Sequence, residues 1–255
     1  MSNTSRDDVL DRVRKLLAKA EAKGVTEQES EALSAKAAEL MARYGIEDAM
    51  LAAGASDNRK PTHKIIDIPN PYTEAKITLL TSIARPMRVQ TVILESSHGK
   101  TKVYRVHMFG FEVDLQRVEI MFTSLLLQAT SQVIRKTPPI LDNGRRQGTI
   151  AFRDRWITGF AWAVGRRIEQ AEKAAKTEAQ AEQTAAGDGK PGVALVLASR
   201  DGLVEQLMND TYPHLTSGKA RNLSGGREAL WDGYAAGERA DIGQKSTGSS
   251  RQAIA

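Results

Sequence analysis

The stretch Val9-Leu10-Asp11-Arg12-Val13-Arg14-Lys15-Leu16-Leu17-Ala18-Lys19-Ala20 decides how the chain begins to fold. Val9, Leu10, Val13, Leu16, Leu17 and Ala20 recur at helical spacing, and Arg12, Arg14, Lys15 and Lys19 fall between them. One helix face is therefore apolar and the other cationic. Gly24 follows, the residue type that accepts the backbone conformation just past a helix end. Thr26 and Glu29 then read as a capping box, each side chain placed to satisfy the other's free N–H. A second stripe runs Leu33, Ala37, Leu40, Met41 and Tyr44. The spacing predicts that Gly45 stops this helix, with Ile46 as the apolar residue of a Schellman cap. Residues 1–53 thus form a helical hairpin.

Three blocks of this hairpin carry a resemblance: Val13 to Ala20, Thr26 to Ala32 ("TEQESEA"), and Ala38 to Ile46 ("AELMARYGI"). In this order and with short gaps they resemble the bacterial and phage family called domain of unknown function 2786. Phe109-Gly110-Phe111 before a long helix, and the glycine-rich end near Trp231, are similar to the segment that often follows that domain. The resemblance implies a helical hairpin followed by a companion domain. It carries no catalytic residues, because the family has no assigned activity.

Composition narrows the functional classes. With 255 residues and 41% hydrophobic content the chain can bury a sizeable core, and 5% aromatic content makes that core mostly aliphatic. Cysteine is absent, which removes disulfides, thiol nucleophiles and cysteine-held zinc, and which suits a reducing, cytoplasmic setting. No signal peptide and no membrane-length apolar run is expected. The formal charge of +5 is unevenly spread. Lys and Arg against Asp and Glu number 8 against 10 in residues 1–53, 14 against 8 in 54–150, and 14 against 13 in 151–255. The cationic excess lies in the middle, as in proteins that touch phosphate backbones.

Beyond a polar linker at 54–61 the pattern predicts one α+β domain over 62–243 and a disordered tail at 244–255. His63 to Ile68, Val89 to Leu94 and Val103 to Phe109 read as strands, the last two paired antiparallel. Pro71 opens a helix running through Leu80 and Ile83. Glu112 to Lys136 is apolar on most sides and reads as a buried central helix. A second long helix runs from Thr149 to about Ala185, and its Ala/Glu/Lys/Gln second half has no core face. Val193 to Leu197 reads as a fourth strand, Leu203 to Met208 as a short helix, and Ser224-Gly225-Gly226 leads into a last helix. Trp156 to Arg166 echoes Trp231 to Arg239, with small residues beside aromatic ones on both helices. The two helices are expected to pack closely against each other or on the central helix. The fold class expected is a helix-rich α+β protein with a small sheet.

The candidate nucleic-acid-binding residues are Arg145, Arg146, Arg153, Arg155, Trp162 and Arg166. Arg155, Trp162 and Arg166 share a helix face, where Arg can meet phosphate and Trp can stack on a base. The competing reading is a tryptophan covered by arginine stems. Leu223 to Arg227 resembles the signature loop of ABC-type ATPases, but no Walker A motif accompanies it, leaving at most an anion site at a helix N-terminus. His63 and His107 can meet across the sheet, and Asp67, Glu112 and Asp114 are loose carboxylates, yet no metal or hydrolytic motif connects them. No cofactor and no metal is expected. The expectation is a non-enzymatic nucleic-acid-associated accessory protein of phage or mobile-element type, whose basic middle region contacts phosphates and whose N-terminal hairpin contacts another protein. The alternatives are a protein-interaction adaptor, acting through the hairpin or the helix near 170–185, and a hydrolase-like enzyme using scattered carboxylates.

Overall fold

The computed structural model describes residues 3–20, 27–54, 59–98, 101–140, 147–187, 191–216, 218, 226–240 and 242. Helices α1 (Asn3–Ala20) and α2 (Glu27–Gly54) form the hairpin. Strand β1 (Thr62–Ile68), helix α3 (Thr73–Ala84) and the strands β2 (Gln90–His98) and β3 (Thr101–Gly110) follow. Four more helices complete the order: α4 (Glu112–Val133), α5 (Thr149–Ala186), α6 (Val193–Thr211) and α7 (Arg227–Glu238). Gly24, Thr26, Arg145, Arg146, the Leu223–Gly225 part of the glycine-rich loop and the tail from 244 lie outside the described residues.

The sheet is antiparallel with β3 in the centre, in the order β1-β3-β2. Alternation along β3 gives it two buried faces. Val106 and Met108 join the main core with Ile68, Leu79, Leu80, Ile83, Leu115 and Val118. On the other face Val92 and Phe109 pack beneath Val204, Leu207 and Met208 of α6 and Tyr212 just past its end. The hairpin shares the main core: Leu10, Val13, Leu17, Met41 and Tyr44 belong to the same cluster as Trp156, Phe160 and Val164 of α5. Burying one such aliphatic or aromatic side chain is worth about 1.5–3 kcal/mol, so the hairpin is held by its own chain.

The echo between α5 and α7 is a close helix crossing. A Cβ at Gly233 would overlap the carbonyl of Trp156, and one at Gly159 the carbonyl of Leu230. Gly237 lies in the same way on Phe160. The pairs 156 with 233 and 160 with 237 advance together, so the two helices run in the same direction.

Four expectations change. Gly45 does not end its helix, since α2 continues to Gly54. Its missing side chain makes room for the Arg117 guanidinium, which would overlap a Cβ there. Ile46, instead of capping, packs with Ala49, Val193, Val196 and Leu197. Val193 to Leu197 is no strand: Val193, Val196, Leu197, Arg200 and Val204 have helical spacing and are the buried side of α6. The second half of α5 has a core face, because Ala175 and Ala179 pack on that same cluster and the Gln183 side chain accepts the Val193 N–H at 3.0 Å. Finally, α3 starts at Thr73 after Tyr72, whose φ of 64° places it in the left-handed region.

Candidate functional site

Helix α5 positions four of the six candidate residues. At about 100° per residue, Arg155, Trp162 and Arg166 fall on one side and Arg153 on the other. Arg153 donates to the Tyr72 hydroxyl at 3.4 Å and to the Ile134 carbonyl at 3.3 Å, so it stands apart from the other three. Arg155 lines an open cleft of about 860 Å³ formed by the first turn of α5 with Tyr72 and Tyr104. Its stem lies where Gly226 at the start of α7, with φ of 72°, leaves space for it.

Trp162 and Arg166 line a groove of about 620 Å³ with Arg85, Ser82 and Glu169. The groove floor is narrow because Gly165 of α5 meets Ser82 of α3; a Cβ would lie 2.8 Å from the serine Cβ. Trp162 is 41% exposed and Trp231 62%. Arg166 connects them. Its guanidinium lies 5.8 Å from the Tyr234 ring centre, and that ring is 5.8 Å from Trp231. Trp162, Arg166 and Trp231, all exposed, and the half-buried Tyr234 therefore form a strip across α5 and α7. Glu238 accepts a hydrogen bond from Arg166 at 2.7 Å, and this bond chiefly raises the arginine's pKa. Sequence spacing pointed to Trp162 and Arg166. Tyr234, Trp231 and Arg85 carry no such local signal, because only the α5–α7 and α3–α5 crossings bring them alongside.

Several cations of the middle region are matched by carboxylates. Lys64 pairs with Glu119 at 2.6 Å, Lys102 with Glu95 at 2.5 Å and Lys136 with Asp232 at 3.1 Å. Arg88 and Arg117 turn inward to a buried ionic cluster. Asp114 contacts Arg117 at 2.9 Å and Arg88 at 3.5 Å, and Glu172 contacts both guanidiniums. Asp48 of α2 pairs with Arg59 at 2.6 Å and with Arg200 of α6 at 3.4 Å. Arg88 reaches the cluster from a left-handed backbone with φ of 61°, the kind of strained position that persists only when its surroundings fix it. A sequence signal for the cluster is Arg117 three residues after Asp114, flanked by Leu115 and Val118 of the core face of α4.

His63 and His107 do meet: the Nδ1 of His63 is 2.9 Å from Nε2 of His107, whose Nδ1 is 2.8 Å from the Tyr212 hydroxyl. Burial, and then the nearby His63, pushes the His107 pKa down. The loose carboxylates stay separate. Glu112 accepts from Gln116, and Asp114 belongs to the ionic cluster. Asp67 faces Arg105 across β1 and β3. Among the described residues no group of three His, Asp or Glu side chains could hold a metal ion, and no helix is long and apolar enough to cross a membrane.

Residues 8–48 match the family model described as Protein of unknown function (DUF2786). The DUF2786 segment covers most of α1 and most of α2, and its last residue is Asp48 of the ionic cluster. No curated protein and no solved structure matches the chain. Within the DUF2786 segment, Tyr44 packs in the main core and Gly45 admits Arg117. The buried side of this hairpin is thus shaped to receive the rest of the chain.

Proposed function

We propose that the chain is a non-enzymatic nucleic-acid-associated accessory protein, of phage or mobile-element type, that contacts single-stranded DNA or RNA along α5 and α7. The observation that carries the reading is the pair of exposed tryptophans, Trp162 and Trp231, with Arg166 and the half-buried Tyr234 between them. Flat aromatic side chains supply stacking platforms for unpaired bases, and arginines between them meet phosphates. Arg85 across the groove and Arg155 near the start of α5 extend the cationic line. Each base stacked on an aromatic residue contributes about 1–3 kcal/mol, so loss of one tryptophan should weaken binding by roughly 5- to 150-fold. The test is fluorescence anisotropy of a labelled oligothymidylate, with affinity falling steeply as salt rises. Absence of binding at low salt removes the proposal.

A second reading has its own support. Exposed Trp, Tyr and Arg are also the residue types that dominate protein interfaces, and Glu238 already occupies Arg166. In that case the strip docks a protein, and the chain is an adaptor. Light scattering of the purified chain, alone and with co-purifying proteins, separates the two: a strict monomer that binds oligothymidylate supports the first.

A further inference from the structure

A second cavity, distant in function from the strip, lies where the end of α2, the start of α4 and helix α6 come together. Its volume is about 350 Å³, at the small end of the range for small-molecule sites. Arg59, Arg200 and Ser199 form its polar side, and Phe111, Leu195 and Leu203 its apolar side.

Arg200 is the residue that needs explaining. Its side chain is only 10% exposed and its guanidinium lies 3.7 Å from the Phe111 ring centre. A guanidinium has five N–H donors and no acceptor. The protein serves these poorly. Both carboxylate contacts are long, 3.4 Å to Asp48 and 3.6 Å to Asp114. Each carboxylate is closer to another arginine: Asp48 to Arg59 at 2.6 Å, and Asp114 to Arg117 at 2.9 Å. The Nε of Arg200 is buried without a hydrogen-bond partner. Burial dominates over both carboxylates and lowers the pKa of Arg200. A buried guanidinium with an unpartnered Nε–H and two long carboxylate contacts, beside a cavity, is costly unless something anionic completes it.

The opposite wall explains what else the occupant would carry. Leu195 is 67% exposed and Leu203 44%, large apolar side chains at the rim of a cavity whose floor includes the Phe111 ring. We propose that this cavity binds a small organic anion, a carboxylate or a phosphate monoester on a compact apolar body, with Arg200 and Arg59 on the acid group and Phe111, Leu195 and Leu203 around the body. Such a ligand ties the DUF2786 hairpin to α6, because Asp48 and Arg200 already join those elements. Its occupancy then stabilises the docked hairpin. This site is independent of the nucleic-acid reading.

The experiment is thermal unfolding of the full chain with benzoate, phenyl phosphate, inorganic phosphate or neutral benzyl alcohol. Benzoate or phenyl phosphate at ten times its Kd should raise Tm saturably by roughly 3–6 °C, and whichever of the two acts at lower concentration identifies the headgroup. Benzyl alcohol should give no shift, and inorganic phosphate a weaker one than phenyl phosphate. Leu203→Asp, at an exposed rim position, should leave the ligand-free melt cooperative and abolish the shift by repelling the anion. Arg200→Lys should lose it as well. The proposal is overturned if neither organic anion moves Tm, if the neutral alcohol acts as strongly as benzoate, if inorganic phosphate equals phenyl phosphate, or if Leu203→Asp responds like the parent.

Discussion

Replacing Gly45 with alanine tests how the hairpin is joined to the rest of the chain. In an ordinary helix interior this change stabilises by about 0.8–1 kcal/mol, because alanine is the better helix former. At Gly45 the new methyl would overlap the Arg117 guanidinium, with Cζ at 2.7 Å and a second guanidinium, that of Arg88, at 3.2 Å. Arg117 is fully buried and held by Asp114 and Glu172, so it has no free direction in which to retreat. Overpacking costs about 1–3 kcal/mol, and loss of a buried pair about 3–5 kcal/mol. Against the propensity gain, Gly45→Ala should destabilise by about 0–2 kcal/mol net if the guanidinium only shifts, and by about 2–4 kcal/mol if one of its ion pairs breaks. Gly202 provides the control. It also lies inside a helix, α6, but nothing stands within 4 Å of its missing Cβ. Gly202→Ala should therefore stabilise by about 0.5–1 kcal/mol. Urea unfolding followed by circular dichroism measures both. If Gly45→Ala is as stable as Gly202→Ala, the hairpin is not docked on Arg117 as described.

Other outcomes follow from the same geometry. Gly233→Ala would press a methyl into the Trp156 carbonyl, a backbone atom that cannot swing aside, and should lower Tm more than Gly45→Ala does in the same melt. Asp114→Asn removes one charge from a cluster that holds Arg88, Arg117 and Arg200, and should cost about 3–5 kcal/mol in urea unfolding. His107 is held neutral by burial, so its folded pKa lies below the unfolded value near 6.5. The unfolded chain then binds more protons in that window. Stability should fall as pH drops below about 6.5, and His107→Gln should flatten that part of a stability profile between pH 7 and 5.

Much of the architecture was legible because its signals are local. The apolar stripes of α1 and α2, the antiparallel pairing of β2 with β3, and the length of α5 all follow from spacing within single segments. The glycine echo between Trp156 and Trp231 was also readable, since small residues opposite each other have one common use. Gly45 was not, because glycine serves both a helix cap and a close approach, and only the distant Arg117 decides between them. Val193 to Leu197 misled for a similar reason: β-branched residues favour strands, while the partners that bury them on a helix, Ile46 and Ala49, come from another part of the chain. In the candidate site, the shared face of Arg155, Trp162 and Arg166 came from helical spacing alone. The same arithmetic separates Arg153 from them. Arg85, Tyr234 and Trp231 enter only through helix crossings.

Titrating labelled oligothymidylate with the parent chain and with the Trp162→Ala, Trp231→Ala double variant, at 50 and 200 mM salt, decides whether the tryptophans of α5 and α7 bind nucleic acid. Both tryptophans are exposed, so the variant should keep its fold and its melt. The parent should bind, with affinity that falls steeply as salt rises, and the variant should bind at least tenfold more weakly at each salt concentration. Equal affinity for the two proteins, or no binding by either, would contradict binding through these tryptophans.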